Sequence, residues 1–179
     1  DGSGVHVCMV DTGIDATHPD LSNLTLAGFR DFYEGEHGLV RDVGEDSHGT
    51  MMAGLLVADG KFYGAAPGVD LSIALALGPA GTSGQEDRVA QAIRWCRITQ
   101  NADIVSLSLG SDPGDGMGIQ SETVLAVQEA LDAGIFVVAA AGNTGNDASI
   151  SDVSVPGNMQ GVIAVGASTR SGNVWSNSA

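Results

Sequence analysis

The sequence predicts an α/β fold: a doubly wound, mostly parallel sheet with helices on both of its faces. Three observations predict it. Apolar runs alternate with helical patterns, glycines punctuate them, and the runs are apolar on both faces, as parallel strands covered by helices should be. A chain of 179 residues, 43% of them apolar, is expected to form one domain with a substantial core.

Each element is predicted from its own stretch. Apolar runs predict strands at 5–10, 71–77, 103–109, 135–141 and 161–167. Helical patterns predict helices at 48–59, 85–100 and 121–134, the last ending at a glycine. Sites in such sheets lie at the carboxyl ends of the strands. Asp11 and the segment 139–143 both end strands, so we expect them at the same edge of the sheet.

Charge and composition exclude several classes of partner. The formal net charge is −15, with 7 Lys and Arg against 22 Asp and Glu, which argues against nucleic acid or anionic membranes as partners. No apolar run approaches the roughly 20 residues of a membrane span, and no signal peptide precedes the first strand, so we expect a mature or excised piece. Cys8 and Cys96 lack metal-ligand spacing and are expected to be buried free thiols, although their spacing leaves a disulfide open.

The tripeptide Asp11-Thr12-Gly13 is compatible with two protein classes. In an aspartic protease, such an Asp shares a proton with a matching carboxylate from a second loop of the same kind. In a serine protease triad, the Asp instead orients a histidine. No second tripeptide of the aspartic type occurs, and the chain is α/β rather than mostly β. The sequence therefore favours Asp11 as the partner of a histidine.

His48 is the candidate histidine. It opens the helix of "SHGTMMAG", and a helix N-terminus disfavours an imidazolium, so a catalytic histidine here benefits from a nearby carboxylate such as Asp11. The small Ala53 and Gly54 are expected to let this helix pack closely on the sheet. The remaining histidines are interpreted as structural: His6, His18 and His37.

Asn143 is a candidate for stabilising an oxyanion. The strand "VVAAA" ends in small side chains that leave room for a substrate side chain, and the Asn beyond it offers an amide donor. Taken alone, a simple Gly-Asn turn would be the better interpretation of this segment. It is not a dinucleotide fingerprint, because G-x-G-x-x-G is absent.

Six blocks, taken together and in order, resemble the subtilisin-like serine proteases: "VDTGIDATHPDL", "SHGTMMAG", "GAAPGVDLSIALAL", "SLSLG", "VVAAAGN" and "GVIAVGA". The resemblance covers essentially the whole chain. It implies a serine endopeptidase in which Asp11 is the triad aspartate, His48 the general base and Asn143 the oxyanion-hole amide. It also implies a secreted or extracellular location.

The resemblance further implies a site for an extended polypeptide substrate, which would add as a strand between two edges. Small residues would form one wall of the pocket for the residue before the scissile bond. The corresponding positions are Ser108, Leu109 and Gly110 for one edge, Ser83 and Gly84 for the facing edge, and Ala140, Ala141 and Gly142 for the pocket wall.

The chain also departs from the family pattern. The family nucleophile lies in G-T-S-M-A-x-P, and the sequence ends at "NVWSNSA" before such a motif. We therefore expect residues 1–179 to be the N-terminal and central part of the catalytic domain, inactive alone, and completed by a C-terminal segment or accompanied by a propeptide. Ser83 in "GTSGQ" is assigned to the substrate edge rather than to nucleophilic attack. The alternative is a non-catalytic subtilase-like module that binds peptides or partners.

No metal-ligand set is predicted, and the residues themselves establish no cofactor. Asp20 matches a calcium ligand of the family, so a structural calcium ion is compatible with the resemblance, but one carboxylate does not form a calcium site. The loop that completes that site is shortened to "ADGKFYG" at 58–64. The acidic segment from Asp31 to Asp46 is interpreted as a solvated charged loop rather than a cation site.

Overall fold

A computed structural model describes residues 1–35, 38–81, 86–111, 121–146 and 153–179. The elements of the described residues are six strands, three α-helices and one short 3-10 helix. The strands are β1 His6–Asp11, β2 Gly28–Asp31, β3 Asp70–Leu75, β4 Ile104–Leu107, β5 Phe136–Ala140 and β6 Ile163–Val165. The helices are α1 His48–Val57, α2 Glu86–Ile98 and α3 Glu122–Asp132, and the 3-10 helix is Pro19–Leu21.

The strands form one parallel sheet in the order β2-β3-β1-β4-β5-β6. β1 lies inside the sheet, between β3 and β4, and its last residue Asp11 is opposite Leu75 of β3. All carboxyl ends of the strands therefore share one edge, where the sequence placed the candidate site. The α/β prediction is confirmed.

Helices cover both faces of the sheet because successive residues of each strand point to opposite sides. Val7 and Met9 of β1 pack in the core cluster that contains the buried face of α1. Cys8 and Val10 belong to the other cluster, which contains residues of α2 and α3. Both sets of side chains are buried, which explains why β1 is apolar without alternation.

Two features of the helix ends agree with their sequence signals. The hydroxyl of Ser121 accepts a hydrogen bond from the N–H of Val124 at 3.2 Å, as an N-cap residue does. Gly134 follows α3 with a φ of +81°, the left-handed conformation that glycine supplies at a helix C-terminus.

Strand β2 was not predicted from the sequence. Its four residues "GFRD" contain a glycine and two charged residues, so they give no apolar run. β2 is a strand because it pairs with β3 at the edge of the sheet, with Gly28 opposite Ser72 and Asp31 opposite Leu75. Long-range pairing therefore decided this element.

The expectation of free thiols was wrong. Cys8 and Cys96 form a disulfide that joins β1 to α2 across 88 positions of sequence. Both residues are fully buried, and their Cα atoms are 5.6 Å apart. The pairing arises because Cys8 lies on the face of the sheet that α2 covers, a relation that spacing along the chain does not contain.

No described helix combines the length and hydropathy that crossing a bilayer requires. Several large apolar side chains are nevertheless exposed at one end of the sheet. They include Phe136 of β5, Ile163 and Val165 of β6, and Val174 beyond it.

Candidate active site

The end of β1 and the start of α1 bring Asp11 and His48 together. The Nδ1 atom of His48 lies 2.7 Å from Oδ1 of Asp11. An ionised carboxylate can only accept, so Nδ1–H donates, and Nε2 is left to accept a proton from another group. The Asp11 side chain is fully buried, whereas 39% of the His48 side chain is exposed. The histidine therefore connects a buried charge to a solvent-accessible cleft.

The carboxylate of Asp11 is only partly satisfied by hydrogen bonds. Oδ1 also accepts from the N–H of Thr12 at 2.7 Å, while Oδ2 is buried without a partner among the described residues. Burial raises the pKa of Asp11 above its ordinary value, against the hydrogen bonds from His48 and Thr12, and the nearby carboxylate of Asp42 adds to the rise. The charged form of Asp11 is therefore held in the fold at a cost.

Two glycines allow close approaches around the end of β1, Gly13 to the loop at Arg41 and Gly49 of α1 to Gly13. Gly13 has a φ of +113°, and a Cβ on it would lie 2.1 Å from the carbonyl oxygen of Arg41. A Cβ on Gly49 would lie 2.1 Å from the carbonyl oxygen of Gly13. Ala53 is fully buried as expected, but a Cβ on Gly54 would contact nothing within 4 Å. The expectation that Gly54 allows the close packing was wrong, because the close approach occurs at Gly49.

A cleft of about 790 Å³ opens beside His48 at the carboxyl edge of the sheet. His48 and Asn143 both line it, so the general-base candidate and the oxyanion candidate share one cavity. The predicted substrate-edge residues, which follow β4 directly in the chain, also line the cleft: Ser108, Leu109 and Gly110.

The chain turns sharply after β5 to place Asn143 at the cleft. Gly142 has a φ of +110°, and a Cβ on it would lie 2.2 Å from the hydroxyl of Ser154. Ala140 and Gly142 line the cleft, whereas Ala141 is buried and pairs through its backbone with Val165 and Ser154. The facing-edge residues Ser83 and Gly84 lie outside the described residues.

Several residues of this region were missed by reasoning from sequence. Thr12, Glu45, Asp46 and Ser154 also line the cleft. Asp42 lies behind the pair and accepts a hydrogen bond from the hydroxyl of Thr12 at 2.8 Å. The many acidic residues at 31–46 could have indicated these positions, but the whole segment was interpreted as a solvent-exposed charged loop.

The prediction of a solvent-exposed loop was wrong for part of the segment. Asp31 is only 1% exposed, and its carboxylate accepts hydrogen bonds from the N–H groups of Tyr33 and Glu34 and from the guanidinium of Arg41. The hydrogen bonds that the Arg41 guanidinium donates to Glu34 and Asp31 raise its pKa. Asp31 and Asp42 therefore anchor this loop to the fold.

The other described histidines have structural partners. Nε2 of His6 lies 2.8 Å from the hydroxyl of Ser72, and Nδ1 of His18 accepts from the N–H of Asp20 at 3.2 Å. His37 lies outside the described residues.

The residues around Asp20 do not fit a calcium ion well. Oδ1 of Asp20 accepts a hydrogen bond from the N–H of Lys61 at 2.6 Å, and its carbonyl oxygen accepts from the N–H of Asp59 at 3.0 Å. In the described part of the chain, no three His, Cys, Asp or Glu side chains are grouped to hold a metal ion. Here the Asp20 carboxylate closes the short loop at 59–63 by accepting the N–H of Lys61.

Comparison with known proteins identifies relatives among the serine proteases. The family model described as "Subtilase family" matches residues 2–179. The Major intracellular serine protease of Bacillus subtilis (strain 168) is 36% identical over 171 residues, which cover 92% of this chain and 51% of that protein. Subtilisin E of the same organism is 37% identical over 169 residues, which cover 93% of this chain and 41% of that protein.

Among solved structures, the nisin leader peptidase NisP from Lactococcus lactis superposes with a TM-score of 0.80 at 26% identity. The match covers 99% of this chain and 59% of that one. The chain spans about half the length of the curated relatives that it matches.

Proposed function

The chain belongs to the subtilase family, and on that premise we propose that it is part of a subtilisin-type serine endopeptidase. It would supply the general base His48, its orienting carboxylate Asp11 and the oxyanion amide of Asn143. The observation that carries the proposal is the 2.7 Å hydrogen bond between His48 and Asp11 at the mouth of a cleft. The nucleophilic serine would come from polypeptide outside residues 1–179.

The proposed reaction is acyl transfer to a serine and then to water. His48 Nε2 takes the proton of the serine hydroxyl as its oxygen attacks the peptide carbonyl, and Asp11 stabilises the resulting imidazolium. The amide of Asn143 donates a hydrogen bond to the oxyanion of the tetrahedral intermediate. His48 then gives this proton to the leaving amine as the peptide C–N bond breaks. In the second half, His48 takes a proton from the water that attacks the acyl-enzyme and returns it to the serine oxygen as the ester bond breaks.

The substrate would be an extended polypeptide in the cleft. Ser108, Leu109 and Gly110 continue from β4 along the cleft, where a substrate backbone could pair with them as an added strand. Ala140 and Gly142 leave space beside Asn143 for a substrate side chain, with Ala141 supporting the turn from below. Ser83 and Gly84 would form the facing edge.

We propose that a further polypeptide segment, the one carrying the serine, covers an apolar groove between α1 and the sheet. The groove has a volume of about 320 Å³. Leu55 of α1 is 69% exposed there, and Val165 of β6 is 54% exposed, which is costly for apolar side chains in water. The relatives are about twice as long as this chain, so they contain further polypeptide of sufficient length to form such a segment.

A location outside the cytoplasm is supported by the disulfide between Cys8 and Cys96, because disulfides persist mainly in oxidising compartments. One relative is named as an intracellular protease. Alkylation of the protein from its native source, unfolded in denaturant so that both cysteines are accessible, would test the location: unreactive, oxidised cysteines support export, and two alkylated thiols contradict it.

The activity is tested with the full-length protein, an unstructured polypeptide substrate and a serine-directed fluorophosphonate. Wild type is expected to cleave the substrate and to be labelled. His48→Ala is expected to lower kcat by about 10⁶-fold and Asn143→Ala by about 10²- to 10³-fold, magnitudes taken from the corresponding changes in subtilisin itself. Asn146→Ala, in the same loop but bonded to Asn177, is the matched control and should retain activity.

The same reagents separate the alternatives. Full-length protein that binds peptides without cleavage or labelling would favour the non-catalytic module. Residues 1–179 alone are expected to remain unlabelled, and labelling of that chain would show that its nucleophile lies within it.

A further inference from the structure

Asp42 lies behind the candidate catalytic pair and bonds to residues that follow each of its members in the chain. Its Oδ1 accepts from the hydroxyl of Thr12 at 2.8 Å and from the N–H of Gly44 at 2.9 Å. Its Oδ2 accepts from the N–H of Thr50 at 2.9 Å and also from the Thr50 hydroxyl. One carboxylate thus receives four hydrogen bonds from two elements and the loop between them.

These donors flank the catalytic pair in sequence. Thr12 follows Asp11 directly, and Thr50 is two residues beyond His48. The Thr12 hydroxyl oxygen also accepts from the N–H of Gly49 at 2.9 Å, so the end of β1 and the first turn of α1 are connected twice. The hydrogen bonds run from β1 through Thr12 and Asp42 to α1.

The loop that carries Asp42 is itself attached to β1. Gly13 and Asp42 form an antiparallel bridge, the N–H of Ile14 donates to the carbonyl of Arg41 at 3.0 Å, and the N–H of Val43 donates to that of Thr12 at 3.0 Å. The carboxylate is therefore held on a backbone that cannot shift without breaking these bonds.

Helix α1 depends on this arrangement because it lacks an N-cap of its own. Ser47 is in the left-handed conformation, with φ +51°, and its side chain makes no capping hydrogen bond. The first N–H groups of a helix have no partner within the helix and need acceptors. Thr12 supplies one to Gly49 and Asp42 supplies one to Thr50.

We propose that Asp42 is a positioning residue for the Asp11–His48 pair: its carboxylate holds the end of β1 and the first turn of α1 at the separation that their hydrogen bond requires. Only its effect on catalysis rests on the proposed function. The geometric effect concerns the separation of two side chains, so it can be measured independently of any activity.

The geometric test uses proton NMR of the full-length protein with isotope-labelled histidine. The Nδ1 proton of His48, hydrogen-bonded to Asp11, should give a far-downfield resonance in the wild type. In Asp42→Asn an amide group replaces one acceptor oxygen, so one of the two connections is lost and the resonance should broaden or disappear. Asp31→Asn is the matched control, because Asp31 anchors the same loop but contacts neither Thr12 nor Thr50.

Thr12→Val is the second variant, and it decides the question if Asp42→Asn does not fold. Valine has the shape of threonine but removes both the donor to Asp42 and the acceptor for Gly49, so the resonance should again be lost. A folded Asp42→Asn or Thr12→Val variant that keeps the wild-type resonance would overturn the proposal. So would loss of the resonance in Asp31→Asn to the same extent.

The catalytic effect is measured in the full-length protein. Misplacing a catalytic group by about 1 Å can cost on the order of 10²-fold in rate, so Asp42→Asn should lower kcat by about 10- to 100-fold with little change in KM. Asp31→Asn should retain kcat at temperatures where it is folded. Equal kcat in wild type and folded Asp42→Asn would refute the catalytic effect. If wild type itself cleaves nothing, the proposed function fails, and the NMR result alone decides the positioning.

Discussion

Asp11 shows how a single side chain can serve a site at the expense of the fold. It is fully buried, one of its oxygens has no partner among the described residues, and its pKa is raised chiefly by burial. A raised pKa in the folded state means that folding favours the protonated carboxyl. The native structure therefore loses stability as pH rises from the ordinary value of 3.8 through the raised one.

Asp11→Asn is expected to raise the free energy of unfolding at neutral pH by about 1 kcal/mol, because a neutral amide costs less to bury than a carboxylate with an unpaired oxygen. If the proposed activity holds, the same change should lower kcat of the full-length protein by about 10⁴-fold, since the amide can select the wrong tautomer of His48. Urea unfolding across a pH series measures the first effect.

The pH series contains its own control. The advantage of the variant should be complete above the raised pKa and should vanish below the ordinary one, where wild-type Asp11 is protonated in both states. A variant less stable than wild type at neutral pH would show that the ionic hydrogen bond to His48 outweighs burial.

At the scale of elements, the contact between β1 and α1 depends on one glycine rather than on small residues in general. Gly49→Ala would place a Cβ 2.1 Å from the carbonyl oxygen of Gly13 and should push the helix away from Asp11. Overpacking of this kind typically costs about 1–3 kcal/mol. We expect a lower thermal midpoint of the chain and loss of the downfield His48 resonance.

Gly54→Ala is the control for that change, because it lies in the same helix and its new Cβ would contact nothing within 4 Å. Alanine is the better helix former by about 1 kcal/mol, so this variant should be as stable as wild type or more stable. Equal destabilisation by both substitutions would point to a general effect on α1 instead of the close approach at Gly49.

The disulfide ties a second pair of elements. Cross-linking residues 88 positions apart restricts the unfolded chain, and loop-closure entropy gives an upper estimate of about 4–5 kcal/mol. The double variant Cys8→Ala, Cys96→Ala should lower the free energy of unfolding by about 2–5 kcal/mol in denaturant titrations. Reduced wild type separates the cross-link from the cavity, because it retains both sulfur atoms. If reduction leaves stability unchanged, the cross-link contributes little.

At the scale of the whole molecule, the net charge is −15, and the cleft is acidic as well. Glu45 and Asp46 line it beside His48, and no lysine or arginine does among the described lining residues. The field should favour polypeptides with basic residues near the scissile bond, provided that the proposed activity holds.

The double variant Glu45→Gln, Asp46→Asn is therefore expected to lower kcat/KM for a lysine-containing peptide by roughly two- to fivefold while leaving a neutral peptide unchanged. Added salt should reduce the difference, since exposed charges are screened. Asp132→Asn, the control, removes one charge from α3 and should leave kcat/KM unchanged for both peptides. A variant that loses both peptides equally would argue for a structural role of the loop.

Local periodicity was enough to predict most of the fold. Five of the strands and all three helices of the described chain follow from runs whose residues are neighbours in sequence, and so does their parallel arrangement. The Asp11–His48 pair was also predicted, because each residue sits at the predicted end of an element and those ends share one edge. β2 was missed because its residues "GFRD" form no apolar run, so that only the pairing with β3 identifies it as a strand.

The sequence by itself determined the α/β architecture and the identity of the two paired side chains, since apolar periodicity and element ends are local properties. Only the tertiary structure decided how that pair is held: the disulfide of Cys8 with Cys96, the approach of Gly49 to Gly13, and the hydrogen bonds of Asp42 to Thr12 and Thr50. The physical reason is common to all three. Each depends on which faces meet after the sheet and helices have packed, and spacing along the chain does not specify those distances.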